Sequence, residues 1–398
     1  MVDWRTPTSI GVLCLLASLW ACTNLTNLST IEVDPSKSEA FQYARGDLRE
    51  DVDSLVQPLI DQGVTPGAVV GVLLPEGQKR FFGYGVAQRG QSRKPDAHTL
   101  FAIGSLSKGF LGAMTSLLVQ EGQLSWNDTL EKRLPPGTPL SATAKRITLL
   151  QLATHTSGLP RQPNTFRTFV SFMEYLFDGE SFYGHLDRTY MLHYLATFDD
   201  RPHYQYSNVG YGLLGYVIER QSGLRLESLF EKTIRQPLGL RSTGYHPKLL
   251  PNYALRARGY AGDEPKFIRR GAPAPDWKFT RLMMGSAGLY STAEDLLTFA
   301  GYNLKNDDTL MTAALKDTLR VRFPLDDGGG AAIAWTVEHY DGQQIAYELG
   351  IVAGYTSYLG LDLRHGTAVV VLQNTFNWDE SVGTRLLVRL GAAQDGKV

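Results

Sequence analysis

A serine and a lysine that lie three residues apart have the spacing of a nucleophile and its base. Ser105 and Lys108 occur in the stretch FAIGSLSKGF, and Lys108 is the only charged residue from Phe101 to Gln120. Because the surrounding apolar residues predict a buried helix, Lys108 is expected to lose its proton more easily than an exposed lysine. A neutral Lys108 on the same helical face can accept the proton of Ser105, although a serine at a helix start also occurs as a simple N-cap.

A second candidate group lies further along the chain, in the stretch HYQYSNVGYGLLG. Here Tyr206 could share the proton transfer if a nearby cation lowers its pKa, and Asn208 could hydrogen-bond a substrate. The alternative is a loop that ends in a capped helix, with Ser207 or Asn208 as the N-cap. The same stretch contains the pattern G-x-G-x-x-G at 210–215, but no apolar strand precedes it, so a dinucleotide site is not expected.

Composition and the absence of other motifs exclude several classes of function. The chain has 398 residues, a formal net charge of -1 and no basic stripe, so a nucleic-acid partner is not expected. Its eight histidines are scattered and form no H-E-x-x-H motif, so neither a metal site nor a cofactor is expected. The G-x-S-x-G elbow of α/β-hydrolases is also absent. No protein partner is implied.

Strand patterns at both ends of the chain enclose a helical middle. The predicted strands lie at 67–74, 80–87, 331–337, 344–348, 355–363 and 367–373, and the clearest helices of the middle lie at 147–155 and 209–221. The first two strands flank a Pro-Glu-Gly turn and predict a hairpin. The simplest architecture is an α+β fold, in which one antiparallel sheet is built from both chain ends, is flanked by helices and carries an inserted helical domain.

The N-terminal residues have the pattern of an export leader and a tether. Residues 1–22 contain an apolar run after Arg5 that ends in Leu-Trp-Ala-Cys, and Cys22 is a candidate lipidation site. Ordinary secretion and an uncleaved anchor are the alternatives. Residues 23–40 predict a polar tether, and the two cysteines of the chain, Cys14 and Cys22, both lie in the leader. We therefore expect an exported protein, either periplasmic or a lipoprotein anchored to a membrane of the cell envelope.

Ser105-x-x-Lys108 followed by Tyr206-x-Asn208 resembles the class C β-lactamases and the penicillin-binding-protein-like serine hydrolases. Four further stretches are similar to the same family: ITLLQLATHTSGLP, YSNVGYGLLGYVIERQSG, PLGLRSTGY and SAGLYSTAEDLLTFA. The resemblance covers residues 48–390. It implies that Ser105 is the acylated nucleophile and that Lys108 and Tyr206 form the proton-transfer pair. It also implies that Asn208 contacts the substrate amide.

The resemblance further implies a β-lactamase/transpeptidase-like fold, which agrees with the sheet and the helical middle predicted above. A discontinuous sheet domain is expected at 41–126 and 288–398, and a helical domain at 127–287. The active site is expected between the two domains.

The third element of this family is a K-T-G or H-x-G sequence on an edge strand, and its best match here is the E-L-G sequence that contains Glu348 and Gly350. This match places Glu348 and Gly350 in the substrate-binding strand. The amides of Ser105 and Ile351 would then form the oxyanion hole. Glu348 differs from the family pattern, since the β-lactam-acting relatives have a cationic residue at this position. It could repel a substrate carboxylate, pair with Lys108, select a cationic or neutral substrate, or point away from the site.

Together these features predict an exported serine hydrolase that acts through an acyl-enzyme at Ser105. Its expected substrate is an amide or ester, such as a D-amino-acid peptide of peptidoglycan, a β-lactam or a small ester. One alternative is a non-catalytic cell-envelope binding protein with the same fold, which Glu348 favours. Another is an acyltransferase, in which a nucleophile other than water releases the acyl group.

Overall fold

Strands from both ends of the chain form one antiparallel sheet. The computed structural model describes residues 47–178, 182–262, 271–325, 329–340, 342–376 and 381–396. The strands in these ranges are β1 Gly67–Leu73, β2 Lys79–Gly85, β3 Phe101–Ala102, β4 Tyr290–Ser291, β5 Phe323–Pro324, β6 Gly330–Ala331, β7 Thr336–Tyr340, β8 Gln343–Val352, β9 Tyr355–Asp362 and β10 Thr367–Gln373. Eight of them form the sheet in the order β2-β1-β10-β9-β8-β7-β6-β5, and β3 pairs with β4. The predicted α+β fold with a sheet from both chain ends is confirmed.

Helices flank the sheet and fill the middle of the chain. They are α1 Leu48–Asp61, α2 Ser107–Gln120, α3 Leu130–Arg133, α4 Ala142–Arg146, α5 Leu149–Ala153, α6 Phe166–Asp178, α7 Arg188–Thr197, α8 Asn208–Ser222, α9 Leu226–Phe230, α10 Gln236–Leu238, α11 Met284–Ala287, α12 Ala293–Leu304, α13 Leu310–Leu319 and α14 Ser381–Gln394. Shorter 3-10 turns lie at Gly104–Leu106, Pro247–Leu249 and Tyr253–Leu255, and a π-helical turn lies at Glu231–Arg235.

The two faces of the sheet pack into two separate apolar cores. Along β1, Val70 and Val72 join the core formed with α1 and α14, whereas Val69 and Leu73 join the core formed with α2, α12 and the helical middle. This division follows from the strand itself, because successive side chains point to opposite faces. Each fully buried aliphatic side chain stabilises the fold by about 1.5–3 kcal/mol. The residues discussed below therefore lie on well-packed elements, namely strand β8 of the sheet and helix α2, which packs against the sheet.

The strand predicted at 331–337 is wrong, because the structure has two strands joined by a buried turn. β6 ends at Ala331, β7 begins at Thr336, and the two strands pair with each other. The turn between them places Ile333, which is fully buried, against α2. Gly112 of α2 allows this approach, since a Cβ there would lie 2.9 Å from Ile333 Cγ2. The apolar run in this stretch therefore reflects the burial of a turn.

The other predicted elements differ from the structure mainly at their ends. The hairpin of β1 and β2 is confirmed, with Leu73 opposite Lys79. The helix predicted at 209–221 corresponds to α8. The helix predicted at 147–155 is shorter than expected, because α5 ends before His155, whose φ of 60° is not helical.

The predicted leader 1–22, the tether 23–40 and the candidate lipidation site Cys22 lie outside the described residues. Within the described part of the chain, no helix is both long and apolar enough to cross a membrane. The boundaries of the sheet and helical domains stay a prediction.

Candidate active site

Ser105 lies in the 3-10 turn Gly104–Leu106, which leads directly into α2. The turn starts at Gly104, whose φ of 52° is one that residues with a side chain rarely adopt. A Cβ at Gly104 would also lie 2.9 Å from the amide nitrogen of Ile351, so the missing side chain lets β8 approach the turn. Ser105 is thereby fixed beside β8 and at the N-terminal end of a buried helix, where the helix dipole favours negative charge.

Lys108 is completely buried in the first turn of α2. Its Nζ donates hydrogen bonds to Ser105 Oγ and to the carbonyl oxygen of Ser286, both at 2.8 Å. Burial lowers the pKa of Lys108 to about 7, although the Glu348 carboxylate acts in the opposite direction. At neutral pH a large fraction of Lys108 is therefore uncharged, as a base for the Ser105 hydroxyl must be. The structure thus brings together the two side chains that the spacing pairs.

Tyr206 is held against Lys108 by the loop that precedes α8. Its ring centre lies 4.9 Å from Lys108 Nζ, and its hydroxyl donates a long hydrogen bond of 3.4 Å to Glu348 Oε1. Burial and the Glu348 carboxylate raise the pKa of Tyr206 well above its ordinary value. A nearby cation is present, and the Arg161 guanidinium acts to lower this pKa, but burial and the Glu348 carboxylate outweigh it, so the condition of a lowered pKa is not met. Tyr206 is therefore a neutral phenol that carries its proton at physiological pH.

Asn208 is the first residue of α8 and directly follows the N-cap, Ser207. The Ser207 hydroxyl oxygen accepts a hydrogen bond from the amide of Gly210, so the capping role considered for this stretch is present. The Asn208 side-chain amide donates to the Tyr183 hydroxyl at 2.8 Å. Its Oδ1 is buried and has no hydrogen-bond partner among the described residues. The contact of Asn208 with a substrate amide stays a prediction.

Arg161 is a cation of the site that the sequence did not single out. Its backbone carbonyl accepts a hydrogen bond from the backbone amide of Asn208 at 3.2 Å. Its guanidinium carbon lies 4.7 Å from the centre of the Tyr206 ring. The one feature of the sequence that could have pointed to Arg161 is its position directly after the stretch LATHTSGLP. That stretch indicated a family resemblance but no role for the arginine.

Glu348 lies on β8 with only 7% of its surface exposed, and its carboxylate faces the Tyr206 hydroxyl. The interpretation in which Glu348 points away from the site is therefore wrong. The interpretation in which it keeps Lys108 charged is disfavoured, because burial outweighs the carboxylate and leaves the pKa of Lys108 at about 7. Two interpretations of Glu348 remain: it repels a substrate carboxylate, or it selects a neutral or cationic substrate.

Gly350 lies against the turn that carries Ser105. A Cβ at Gly350 would overlap the carbonyl oxygen of Ile103 and the hydroxyl oxygen of Ser357. These two groups are themselves hydrogen-bonded, since Ser357 Oγ donates to the Ile103 carbonyl at 2.8 Å. The contact holds β8 next to the nucleophile. The use of the Ser105 and Ile351 amides as an oxyanion hole stays a prediction.

We expect Gly350→Ala to slow the acylation of Ser105 at least tenfold, because the added Cβ must push β8 away from the turn. The melting temperature should fall as well, since overpacking of this kind costs about 1–3 kcal/mol. The measurement is the rate of labelling by a fluorophosphonate. Gly301→Ala is the control, because Gly301 lies in α12 and a Cβ there meets only Leu73 Cδ2 at 3.5 Å. Equal labelling rates in the two variants would contradict the role given to Gly350.

Three side chains of this site can take part in an acyl-transfer reaction. The Ser105 hydroxyl is hydrogen-bonded to the buried amine of Lys108, and the ring of the neutral phenol Tyr206 lies against that amine. In the described ranges, no group of three or more histidine, cysteine, aspartate or glutamate side chains is arranged to hold a metal ion. The set can transfer a proton and attack a carbonyl carbon.

Sequence comparison relates the chain to hydrolases of a fungus and a bacterium. It is 27% identical to the Unguisins hydrolase ungD' of Aspergillus campestris over 368 residues, which are 86% of this chain and 65% of that protein. It is 31% identical to the D-alanyl-D-alanine-carboxypeptidase/endopeptidase AmpH of Escherichia coli over 243 residues, which are 59% of this chain and 57% of that protein. The chain thus spans less than two thirds of the length of these curated relatives.

Comparison with solved structures gives the same fold. The crystal structure of D-alanine carboxypeptidase AmpC from Burkholderia cenocepacia is similar with a TM-score of 0.70 and 22% sequence identity, and the match covers 86% of this chain and 99% of that chain. The β-lactamase/transpeptidase-like fold is therefore confirmed. The family profile described as Beta-lactamase matches residues 52–394, which is most of the chain. The chain belongs to the Beta-lactamase family.

Proposed function

We propose that this protein is an exported serine hydrolase that forms an acyl-enzyme at Ser105 with an amide or ester substrate. The observation that carries this proposal is the 2.8 Å hydrogen bond between Lys108 Nζ and Ser105 Oγ. The lysine that makes it is fully buried, and its pKa of about 7 provides the neutral amine at physiological pH. Membership of the Beta-lactamase family supports the same chemistry.

In the acylation step, Lys108 takes the proton of Ser105 Oγ while Oγ attacks the substrate carbonyl carbon. The carbonyl oxygen becomes an oxyanion, which the amides of Ser105 and Ile351 would stabilise. Tyr206 is protonated and gives its proton to the leaving amine or alcohol as the C–N or C–O bond breaks. The Lys108 ammonium then returns a proton to the Tyr206 oxygen, whose ring lies within 4.9 Å of Nζ.

In the deacylation step, water loses a proton to the same base and attacks the ester carbonyl of the acyl-enzyme. The acid is released, and Ser105 regains its proton. An acyltransferase would differ only in using an amine or alcohol instead of water. A binding protein with the same fold would leave Ser105 unmodified, and the assembled hydroxyl, amine and phenol groups favour the hydrolase over it.

The position of Glu348 narrows the class of substrate. A buried carboxylate 3.4 Å from the Tyr206 hydroxyl repels a substrate carboxylate by about 1 kcal/mol or more. We therefore propose a substrate that is neutral or carries an amine near the leaving group, such as a peptide amide or a small ester. The name of one relative includes an endopeptidase activity, which acts on an internal peptide bond and is compatible with such a substrate. β-Lactams with a carboxylate are expected to react more slowly.

We expect Glu348→Gln and then Glu348→Lys to raise stepwise the ratio of the acylation rate with benzylpenicillin to that with p-nitrophenyl acetate. Removal of the charge should raise this ratio about fivefold to tenfold, which corresponds to the repulsion above. The neutral ester is the internal control, because it carries no carboxylate. An identical ratio in all three proteins would show that residue 348 does not contact the carboxylate.

The first test of the proposed function is intact-mass spectrometry after incubation with a fluorophosphonate and, separately, with benzylpenicillin. Labelling by the phosphonate that is lost in Ser105→Ala supports the acyl-enzyme mechanism. A penicillin adduct or penicillin turnover would add β-lactams to the substrates. If neither reagent marks Ser105 and penicillin is not consumed, the binding-protein alternative replaces the hydrolase.

We also propose that the leader 1–22 directs export and that Cys22 is the lipidated residue of a cell-envelope lipoprotein. The leader pattern and the absence of cysteine after Cys22 support this location. Incorporation of labelled palmitate in growing cells tests it. Loss of the label in Cys22→Ala is expected, and an unlabelled wild-type protein would favour ordinary secretion into the periplasm.

A further inference from the structure

We propose that His155 is a positioning residue that holds Tyr206 against Lys108, so that the proton-transfer pair is assembled before a substrate binds. His155 follows α5 and contacts residues 205–207 of the segment 203–207, which we call the tyrosine loop. This proposal rests on the proposed hydrolase function, because it concerns how the same site is built.

His155 contacts the tyrosine loop on both sides of Tyr206 and at its ring. The His155 carbonyl oxygen accepts a hydrogen bond from the Gln205 amide at 2.7 Å. Its Nδ1 accepts a hydrogen bond from the Ser207 amide at 3.0 Å. The imidazole lies on the Tyr206 ring, with 4.3 Å between ring centres and an interplanar angle of 31°. The two hydrogen bonds fix the backbone before and after Tyr206, and the imidazole packs against its ring.

The backbone of His155 is held in a conformation that favours glycine. Its φ is 60°, and it occupies the position after the C-cap residue Thr154, where a left-handed glycine commonly ends a helix. A residue with a side chain costs about 1–2 kcal/mol in this conformation. The three contacts with the tyrosine loop offset that cost. A buried, strained histidine is thus a feature of the site and not of the helix end alone.

The protonation state of His155 fits a hydrogen-bond acceptor. Burial, together with the charges of Lys108 and Arg161, lowers the pKa of His155 well below its ordinary value. Because Nδ1 accepts the Ser207 amide, the single ring proton is on Nε2. The lone pair of the neutral imidazole is therefore engaged by the backbone, and His155 acts on the reaction only through the position of Tyr206.

Two substitutions distinguish the effect of the hydrogen-bond acceptor of His155 from the effect of its aromatic ring. Asn tolerates the left-handed backbone, and its side-chain oxygen can accept the Ser207 amide at a position close to that of Nδ1. Phe keeps an aromatic ring but has no acceptor. We expect His155→Phe to lower kcat/KM for p-nitrophenyl butyrate about tenfold, and His155→Asn to retain it within about threefold. His365 is the matched control, because this other histidine is hydrogen-bonded to Asp362 and Asp395 outside the site.

A double-mutant cycle with Tyr206→Phe tests whether His155 acts through Tyr206. If it does, adding His155→Phe to Tyr206→Phe should change kcat/KM less than about twofold. His365→Phe should lower the melting temperature without changing kcat/KM. A full tenfold loss in the Tyr206→Phe background would overturn the proposal, as would wild-type activity in His155→Phe, or equal losses in the Asn and Phe variants that follow their melting temperatures.

Amide hydrogen exchange separates this proposal from the proposed function. Peptides that cover the tyrosine loop should exchange faster in His155→Phe than in the wild-type protein and should be restored in His155→Asn, whether or not the protein hydrolyses an ester. Ester hydrolysis that Ser105→Ala does not reduce would refute the nucleophile and leave this measurement valid. Unchanged exchange in His155→Phe would refute the role of His155 even in an active enzyme.

Discussion

Ser105→Ala should abolish the turnover of esters and the labelling by fluorophosphonate, a loss of about 10⁴-fold or more. The substitution removes the atom that attacks the carbonyl, and no other hydroxyl in the described residues is hydrogen-bonded to Lys108. The melting temperature should change by only about 2 °C, because one hydrogen bond worth about 1 kcal/mol is lost. Lys108 keeps its hydrogen bond to the Ser286 carbonyl.

The matched control for Ser105→Ala is Ser116→Ala in α2, the helix that follows the turn of Ser105. Ser116 is buried, and its hydroxyl donates to Asp317 at 3.0 Å. We expect Ser116→Ala to lower the melting temperature by at least as much as Ser105→Ala and to leave labelling intact. Retained turnover in Ser105→Ala, measured on protein free of wild-type contamination, would show that another residue is the nucleophile.

Lys108→Met should lower acylation about 10³-fold or more and should at the same time raise the melting temperature. The base is lost, so Ser105 must react without proton removal. The stability gain follows from burial, which lowers the pKa of Lys108 from 10.5 to about 7. A difference of about 3.5 units corresponds to about 5 kcal/mol of destabilisation below pH 7. The Ser286 carbonyl loses its partner at a cost of about 1–3 kcal/mol, so a net gain is expected.

The same pKa fixes the sign of two pH dependences. Below about pH 7 the lysine is protonated in both the folded and the unfolded state, and its burial cost is fully present. Between about 7 and 10.5 only the unfolded state binds the proton, so this contribution to stability rises with pH. Activity should rise through about pH 7, as neutral Lys108 accumulates. The stability difference between Lys108→Met and the wild-type protein should shrink over the alkaline range.

These measurements separate a catalytic Lys108 from a structural one. If Lys108→Met is inactive and also has a lower melting temperature than the wild-type protein, the lysine stabilises the fold as a charged group. Lys108→Met that keeps activity would refute the assignment of the base. The pH–rate profile of the wild-type protein provides the independent check, since a rate that does not rise through about pH 7 contradicts a neutral amine base with this pKa.

The pairing of Ser105 with Lys108 could be predicted because it is local. Lys108 follows Ser105 by three positions, which places the two side chains on one face of a helical turn, and the apolar neighbours indicate burial. The same kind of reasoning failed for the stretch at 331–337, where the apolar residues line a turn rather than a strand. Burial can be read from composition, but the backbone conformation that achieves it depends on the partner, here α2 with its Gly112.

The amino-acid sequence by itself determined the antiparallel sheet from both chain ends, the buried helix and the serine–lysine pair, because periodicity and short spacing express local forces. Only the tertiary structure decided that Glu348, 142 residues from Tyr206, faces its hydroxyl, and that His155, 52 residues from Ser207, accepts its amide. It also decided the direction of the Tyr206 pKa shift. Burial and the Glu348 carboxylate, which is far away in sequence, raise this pKa more than the nearby Arg161 cation lowers it. Desolvation and electrostatic fields sum over residues from every part of the chain, so they exist only once the chain has folded.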